Sequence, residues 1–387
     1  MFSCRSNNFT AIVIPVTTYS ISGTVLTSSG LVLREAPMTL HGISAQTTVT
    51  DEFGMYTFGG LANGSYTITP SLAGYTFTPA SRIVNINGAN IFSINFTSTN
   101  AYPIGSYPRC IAIDSSGNVW ISDSVSLNKL SSAGDVLGTY TNGSGTGIAI
   151  DGSDNIWVAK HISNNNVIKF SSAGLVLGTY TVGTSPEGMA IDGSGNVWVA
   201  DSSSNNVIKL SSSGVVLGTY AVGTTPTGIA IDSSGNVWVI NINSNNVTKL
   251  SSSGTLIGTY PANPDPNSIA IDSSSNVWIT NYTTDFITKL SSSGDIVGIF
   301  EVNGIASRGI AIDGSDNVWV VNSGYWGVTK LNSSGVVLQN ITVLDPWCLA
   351  IDSTGNVWIP NFYDHNTVTK LVGVASPVIT PLLLQPK

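Results

Sequence analysis

A repeat near 40 residues long, present seven times, constrains this chain more than any other feature. Ile-Asp recurs with Asp at 114, 151, 192, 232, 272, 313 and 352, at spacings of 37, 41, 40, 40, 41 and 39. Trp follows each time, at 120, 157, 198, 238, 278, 319 and 358, and Lys follows at 129, 169, 209, 249, 289, 330 and 370. One unit reads Gly188-Met-Ala-Ile-Asp-Gly-Ser-Gly-Asn-Val-Trp-Val-Ala, then Asn206-Val-Ile-Lys-Leu-Ser-Ser-Ser-Gly-Val-Val-Leu-Gly-Thr-Tyr220. Short apolar runs bounded by Gly, Ser, Asn and Pro predict four strands, at 189–191, 197–200, 206–210 and 215–220. Four strands per 40 residues is the period of a β-propeller blade, so seven units predict seven blades. A solenoid would need one or two strands per unit and capping ends.

Composition agrees with an all-β chain. Only 9% of the 387 residues are charged, against about 25% in an ordinary soluble domain. There are four Glu and 40 Gly, which suits tight turns and short strands rather than helices. The net charge of −8 and the scattered cations argue against nucleic acid or an anionic membrane as partner. The apolar run 11–16 is far shorter than the roughly 20 residues of a membrane span, and it lacks the basic flank and cleavage site of an export signal.

The stretch Pro186-Glu-Gly-Met-Ala-Ile-Asp-Gly-Ser-Gly-Asn-Val-Trp-Val-Ala-Asp201 resembles an NHL repeat. The whole array, roughly 100–380, is similar to the streptogramin (virginiamycin B) lyase-like propellers, and 180–186 resembles YVTN propellers. The resemblance implies a seven-bladed ring and leaves function open between enzymes and binding scaffolds. In the lyases it implies a His, a nearby Glu and a second His around a magnesium ion. None of the four Glu here has a His two residues on. The His are 41, 161 and 365, and of these only His161 is expected near Glu187. No Cys/His metal spacing, phosphate loop or nucleophile elbow occurs, so we expect no enzyme, no metal and no cofactor.

Residues 19–99 lie outside the repeat. Their period-two runs, among them Ile21-Ser-Gly-Thr-Val25 and Gly60-Leu-Ala-Asn-Gly-Ser-Tyr-Thr-Ile-Thr-Pro70, predict a small β-sandwich. They resemble carboxypeptidase-regulatory-like and Cna-B-type immunoglobulin-like modules, which act mostly as extracellular spacers or assembly units. A Lys–Asn crosslink of the Cna-B kind is excluded, because the first Lys is Lys129. The expected organisation is therefore an extended tail or donor strand (1–18), an immunoglobulin-like sandwich (19–99), a seven-bladed propeller (100–372) and a C-terminal tail (373–387).

Within each repeat, Asp is expected to cap the following turn, Trp to pack between blades, and Lys to lay its stem on a blade face with its head near a carboxylate or in water. Chemistry that varies belongs in the loops. The loop leading into each inner strand carries one changing residue: Arg109, Thr146, Glu187, Thr227, Asn267, Arg308 or Trp347. On the same face, blades 5 to 7 place Tyr282, Phe286, Tyr325, Trp326, Phe362, Tyr363, Asp364 and His365 between their second and third strands. This aromatic sector beside Arg308 and Trp347 is the candidate interface or glycan-stacking patch.

Three structural expectations follow from the residues. Tyr102 stands before Asp114 as Tyr180 stands before Asp192, so residues near 98–104 should supply the outer strand of blade 7; the tail 372–384 is the rival. Cys110 and Cys348 share one repeat position, elsewhere Gly or Ser, and are expected to face each other across the closed seam as a disulfide, which would mark an oxidising compartment. The run Phe9-Thr-Ala-Ile-Val-Ile-Pro-Val-Thr17 is apolar on both faces if extended. Its Phe9, Ala11, Ile12, Val13, Ile14 and Val16 suit a buried strand, folded back or donated to a neighbour. The whole reads as an extracellular or cell-surface structural and binding protein, its partners other copies of itself and surface glycans or proteins. A soluble ligand-binding propeller and a lyase-like enzyme are the alternatives.

Overall fold

The computed structural model describes residues 17–27, 32–34, 36–72, 75–160, 165–325, 327–343, 345–362 and 366–378. The chain is all-β; its helical content among these residues is a single 3-10 turn, Ser323–Tyr325, and no helix is long and apolar enough to cross a membrane. It divides into two compact units, 1–98 and 99–387.

The first unit holds two sheets around one core. One sheet pairs Tyr19–Thr27 with Met55–Leu61 and, in parallel, with 96–98. The other runs in the order Gln46–Val49, Pro37–Gly42, Gly64–Pro70, Arg82–Ile86. The expected alternation is met: Ile21, Val25, Met38, Leu40, Phe58 and Ile68 point inward and are buried together.

The second unit is a propeller of seven four-stranded sheets. In blade 3 the strands are Pro186–Ile191, Val197–Asp201, Asn206–Leu210 and Val216–Ala221, paired in sequence order. The inner strand starts three residues earlier than its apolar run, through an irregularity between Pro186 and Met189. Inner strands pack on one another in cyclic succession, blade 1 through blade 7 and back to blade 1. Blade 7 takes its outer strand from the other end of the unit: Thr367↔Pro103, Val368↔Tyr102 and Lys370↔Asn100 are antiparallel partners. The start of the C-terminal tail does a different job. Gly373 N donates to Asn356 Oδ1, Ala375 N to Gly355 O, and Ser376 N to Asp313 Oδ2, so 373–376 fill the place of the missing third turn between blades 6 and 7.

One polar cluster recurs in every blade. In blade 3, Asp192 Oδ1 accepts the backbone N–H groups of Ser194 and Asn196, and the Asn196 side chain donates to both carboxylate oxygens. Trp198 Nε1 donates to Oδ2 at 3.1 Å. The indole–carboxylate bond is present in all seven blades at 2.9–3.1 Å, and all seven indoles are fully buried. Each repeat Lys lies 4.4–4.7 Å over its own Trp ring. Its ammonium does not end in water. Lys209 Nζ sits 3.2 Å from Asp192 and donates to Ser252 O in the next blade at 2.8 Å. The same cross-blade bond runs from Lys370 to Ser132 O, and from Lys330 to Val374 O in the tail that replaces a turn.

Aromatic stacking forms a second tie. Trp198 and Tyr220 have ring centroids 5.4 Å apart, and a Cβ on Gly254 of the following blade would come within 1.9 Å of the Tyr220 ring. Gly254 also has φ +88°, so both space and backbone require glycine there. Blade 6 lacks this pair. It has Ile341 in place of the aromatic, buried against Val374 and Ala375.

The disulfide is not formed. Both thiols are free: Cys348 Sγ donates to Arg109 O and Cys110 Sγ to Thr146 O, each at 2.7 Å. Equal positions in a ring point in the same rotational sense, so each thiol addresses the next blade rather than the other thiol. At Gly147, Gly188 and Gly309 the neighbouring inner strand leaves no room for a side chain; a Cβ on Gly147 would lie 2.0 Å from Glu187 O. The two sulfurs are therefore wedges between inner strands. Burial pushes the Cys110 thiol up to about 12, with Glu187 adding to the rise, and burial raises Cys348 well above the usual thiol range.

Three outcomes test this account. Asp192→Ala strips a buried acceptor from an indole, an amide and two backbone N–H groups and leaves Lys209 unpaired, so chemical denaturation should show a loss of about 3–5 kcal/mol. Burial raises the carboxyl pKa of Asp151, Asp192, Asp232, Asp272, Asp313 and Asp352, but the hydrogen bonds from Asn and Trp outweigh it and the net shift is downward. An unfolded Asp titrates near 3.9, so their contribution is complete above that pH and is lost as pH falls through the lowered native values. The melting temperature should hold from pH 7 to about 5 and drop below 4; a level profile to pH 3 contradicts it. Finally, Cys110 and Cys348 should resist a thiol reagent in the native protein and react in denaturant. A Cys110–Cys348 peptide two hydrogens lighter, recovered without reductant, would show the opposite.

Candidate functional site

The loops leading into the inner strands and those between second and third strands share one face of the propeller, and side chains from four blades meet there. Arg308, leading blade 6, lies 3.7 Å over the Trp347 ring of blade 7 and 4.7 Å over the Tyr282 ring of blade 5. Its Nη2 donates to Tyr282 Oη at 3.0 Å. The other side of Trp347 stacks on Phe362, with centroids 3.9 Å apart and planes at 26°. Arg109, leading blade 1, lies 5.4 Å from the Phe362 centroid, and Tyr107 packs on the same ring at 5.5 Å. The result is a continuous array, Tyr282–Arg308–Trp347–Phe362–Arg109, spanning blades 5, 6, 7 and 1. A guanidinium on an aromatic face is attracted to the ring quadrupole and keeps its N–H fork for in-plane acceptors.

The array changes the expected use of Trp347. With Arg308 on one face and Phe362 on the other, it is a spacer and not an open stacking platform. Among the described residues the exposed rings of the sector are Tyr107, Tyr282 and Phe286. Arg109 is half-buried and its Nε has no hydrogen-bond partner. Glu187 and Asn267 are half-buried on other blades of the same face. Glu187 lies within electrostatic reach of Cys110. Thr146 Oγ1 is bonded to Pro186 O. The Tyr325 side chain, Trp326, Tyr363, Asp364, His365 and His161 lie outside the described residues, as does the strand segment Phe9, Ala11, Ile12, Val13, Ile14 and Val16.

A polar position escaped the sequence reading. The residue three after each repeat Trp is Asp123, Lys160, Asp201, Asn241, Asn281, Asn322 or Asn361, and in most blades it pins the loops of this face. Asp201 accepts from Thr184 N and Ser185 N, and Asn281 donates to Asn263 O and Pro264 O. The signal was available: a polar residue stands three after the Trp in every blade, at or just past the end of the second strand. Lys160 holds this slot in blade 2, where burial lowers its pKa.

A magnesium ion takes oxygen donors, chiefly carboxylates. Among the described residues no three His, Cys, Asp or Glu side chains gather as a metal cradle, and the seven leading positions hold one carboxylate, Glu187, beside two arginines. The described donor set of this face does not fit that ion.

The comparisons place the fold among known proteins. The virginiamycin B lyase of Staphylococcus aureus superposes with a TM-score of 0.65 at 16% identity, over 71% of this chain and 98% of that one. The hydrazine synthase of Kuenenia stuttgartiensis superposes at 0.63 and 14% identity, over 70% and 98%. At these identities the likeness is one of fold. A 93-residue stretch is 37% identical to chitinase ChiA of Flavobacterium johnsoniae, covering 23% of this chain and 6% of that protein. Residues 55–324 and 139–373 match the Virginiamycin B lyase family across most of the chain, and the chain belongs to that family.

Proposed function

We propose that this member of the family is a non-enzymatic binding and assembly protein acting outside the cell or at its surface. The seven-bladed propeller is its interaction scaffold, and residues 19–99 form an immunoglobulin-like module that spaces the propeller from its attachment. Copies join through donation of the strand 9–17, giving a filament. The observation that carries the binding reading is the Arg308–Trp347–Phe362–Arg109 array. It fixes two guanidiniums on one face by stacking, which suits carboxylate groups on a surface glycan or protein. Family membership favours the second reading, a lyase-like enzyme.

One set of measurements separates them. The full chain should bind immobilised polygalacturonate more tightly than neutral cellulose. Arg109→Ala and Arg308→Ala should each weaken that binding by about tenfold, the scale of one charge-assisted hydrogen bond, in protein whose circular dichroism shows the fold retained. A streptogramin B incubated with the protein and magnesium should stay intact. Ring opening by the wild-type chain overturns the non-enzymatic reading.

A further inference from the structure

The segment 373–376, which stands in for the third turn of blade 7, is seated the way a bound peptide is seated. Gly373 N–H donates to Asn356 Oδ1 at 3.0 Å, Ala375 N–H to Gly355 O at 3.0 Å and Ser376 N–H to Asp313 Oδ2 at 3.1 Å. In the other direction, Lys330 Nζ donates to Val374 O at 2.9 Å and Gly314 N–H to Ser376 O at 3.2 Å. Val374 and Ala375 join the apolar cluster of Trp319, Ile341 and Leu371, and Ala375 is only 8% exposed.

The receiving side is cut to that backbone. Gly314 follows the repeat Asp of blade 6, and a Cβ on it would lie 2.0 Å from Pro377 O. At Gly152, the same position in blade 2, a Cβ meets nothing within 4 Å. A Cβ on Gly355 would lie 2.3 Å from Ala375 O, whereas at Gly117, Gly195 and Gly235 the nearest neighbour is a turn serine 3.5–3.9 Å away. The segment therefore lies deeper than the turn it replaces. It is also attached differently. In blades 1 to 6 the third turn runs into a strand at each end, as 211–214 runs between Asn206–Leu210 and Val216–Ala221. The segment 373–376 follows the third strand of blade 7 through the exposed Val372 and does not lead into an outer strand, because that strand comes from 100–103. A turn cannot leave its blade without taking a strand with it, and this segment can.

We infer that the groove between blades 6 and 7 is a peptide-binding site, held in this chain by its own residues 373–376 and able to take the same sequence from a separate peptide. The ligand class follows from the contacts. All five hydrogen bonds go to backbone groups of the segment, so the ligand is a peptide in the conformation of 373–376. The buried seat of Ala375 takes a small side chain, and the place of Val374 takes an aliphatic one. Release of the segment leaves the receiving groups in order. Asp313 keeps its bonds from Ser315 N, Asn317 and Trp319 Nε1, and Lys330 keeps Asp313 at 3.8 Å and the Trp319 ring at 4.7 Å. Because the segment touches both blades, its occupancy sets how firmly blade 7 is held to blade 6. The site uses neither the arginine–aromatic array nor residues 9–17, so it stands or falls apart from the proposed binding and assembly.

The test is fluorescence anisotropy with a labelled peptide of residues 372–378, Val-Gly-Val-Ala-Ser-Pro-Val, with circular dichroism as the check on folding. It is run on the full chain, on Ala375→Trp, on Ala375→Ser, on Ala375→Trp/Gly314→Val and on a chain ending at Val372. Ala375→Trp and the shortened chain should bind the peptide saturably. The wild type and Ala375→Ser should bind it at least about tenfold more weakly, because a segment on a short link competes at an effective concentration on the order of mM. Adding Gly314→Val to Ala375→Trp should remove saturation. Equal affinity in every variant, or no saturation by a folded Ala375→Trp chain, overturns the site. So does loss of the β-sheet signal in both Ala375→Trp and the shortened chain, since the segment is then part of the fold and not a ligand. Sedimentation velocity adds one outcome: wild-type dimers that become monomers in Ala375→Trp overturn the assignment to the chain's own segment, because a second copy then fills the groove.

Discussion

A carboxylate at the end of each inner strand is the point on which the propeller turns. Asp192 and its six counterparts close the first turn of the blade, hold the buried indole N–H, and neutralise a lysine that belongs as much to the next blade as to their own. The indole could not be buried without that acceptor, because an unmatched N–H in the core would cost more than the ring gains beside it. The lysine could not be drawn in without the charge. Each blade is thereby fastened to its neighbour by an ammonium clamped between a ring, a carboxylate and a foreign carbonyl.

The seam shows how interdependent these parts are. Between blades 5 and 6 the aromatic of one blade, Phe300, covers a turn glycine of the next, Gly335. Between blades 6 and 7 that third turn is absent, and so is the aromatic: Ile341 takes its place and the tail residues Val374 and Ala375 complete the layer. Lys330 still finds its carbonyl, now from Val374. The chemistry of the tie is kept while its supplier changes, which is how a linear repeat ends inside a closed ring.

Much of this was legible from period and residue type. The blade count, the strand order and the source of the outer strand of blade 7 follow from register, because Tyr102 repeats the spacing of Tyr180. What register cannot give is direction around the axis. Cys110 and Cys348 occupy equal positions, and equal positions look the same way round a ring, so a facing pair was the wrong inference. The lysine partners were hidden because the carbonyl lies about 43 residues on, in a run of serines with nothing to mark it. The arginine–aromatic array was half visible. Tyr282, Arg308, Trp347, Phe362 and Arg109 all stand out as departures from the repeat, but no periodicity tells that Phe362 is the ring between Trp347 and Arg109.

Closure by strand 100–103 has a consequence for the time course of synthesis. These residues leave the ribosome before any other strand of the ring, and their partner strand Thr367–Leu371 is made about 270 residues later. At roughly 5–20 residues per second, the first edge of the ring waits for some 15–50 s with its hydrogen bonds unmet. Six blades can stack as they emerge, each fastened to the one before, but the seventh cannot be completed until residues 367–371 have been made. The ring is thus a late event, and a ribosome that stalls within the last repeat leaves an open arc with a bare strand at each end.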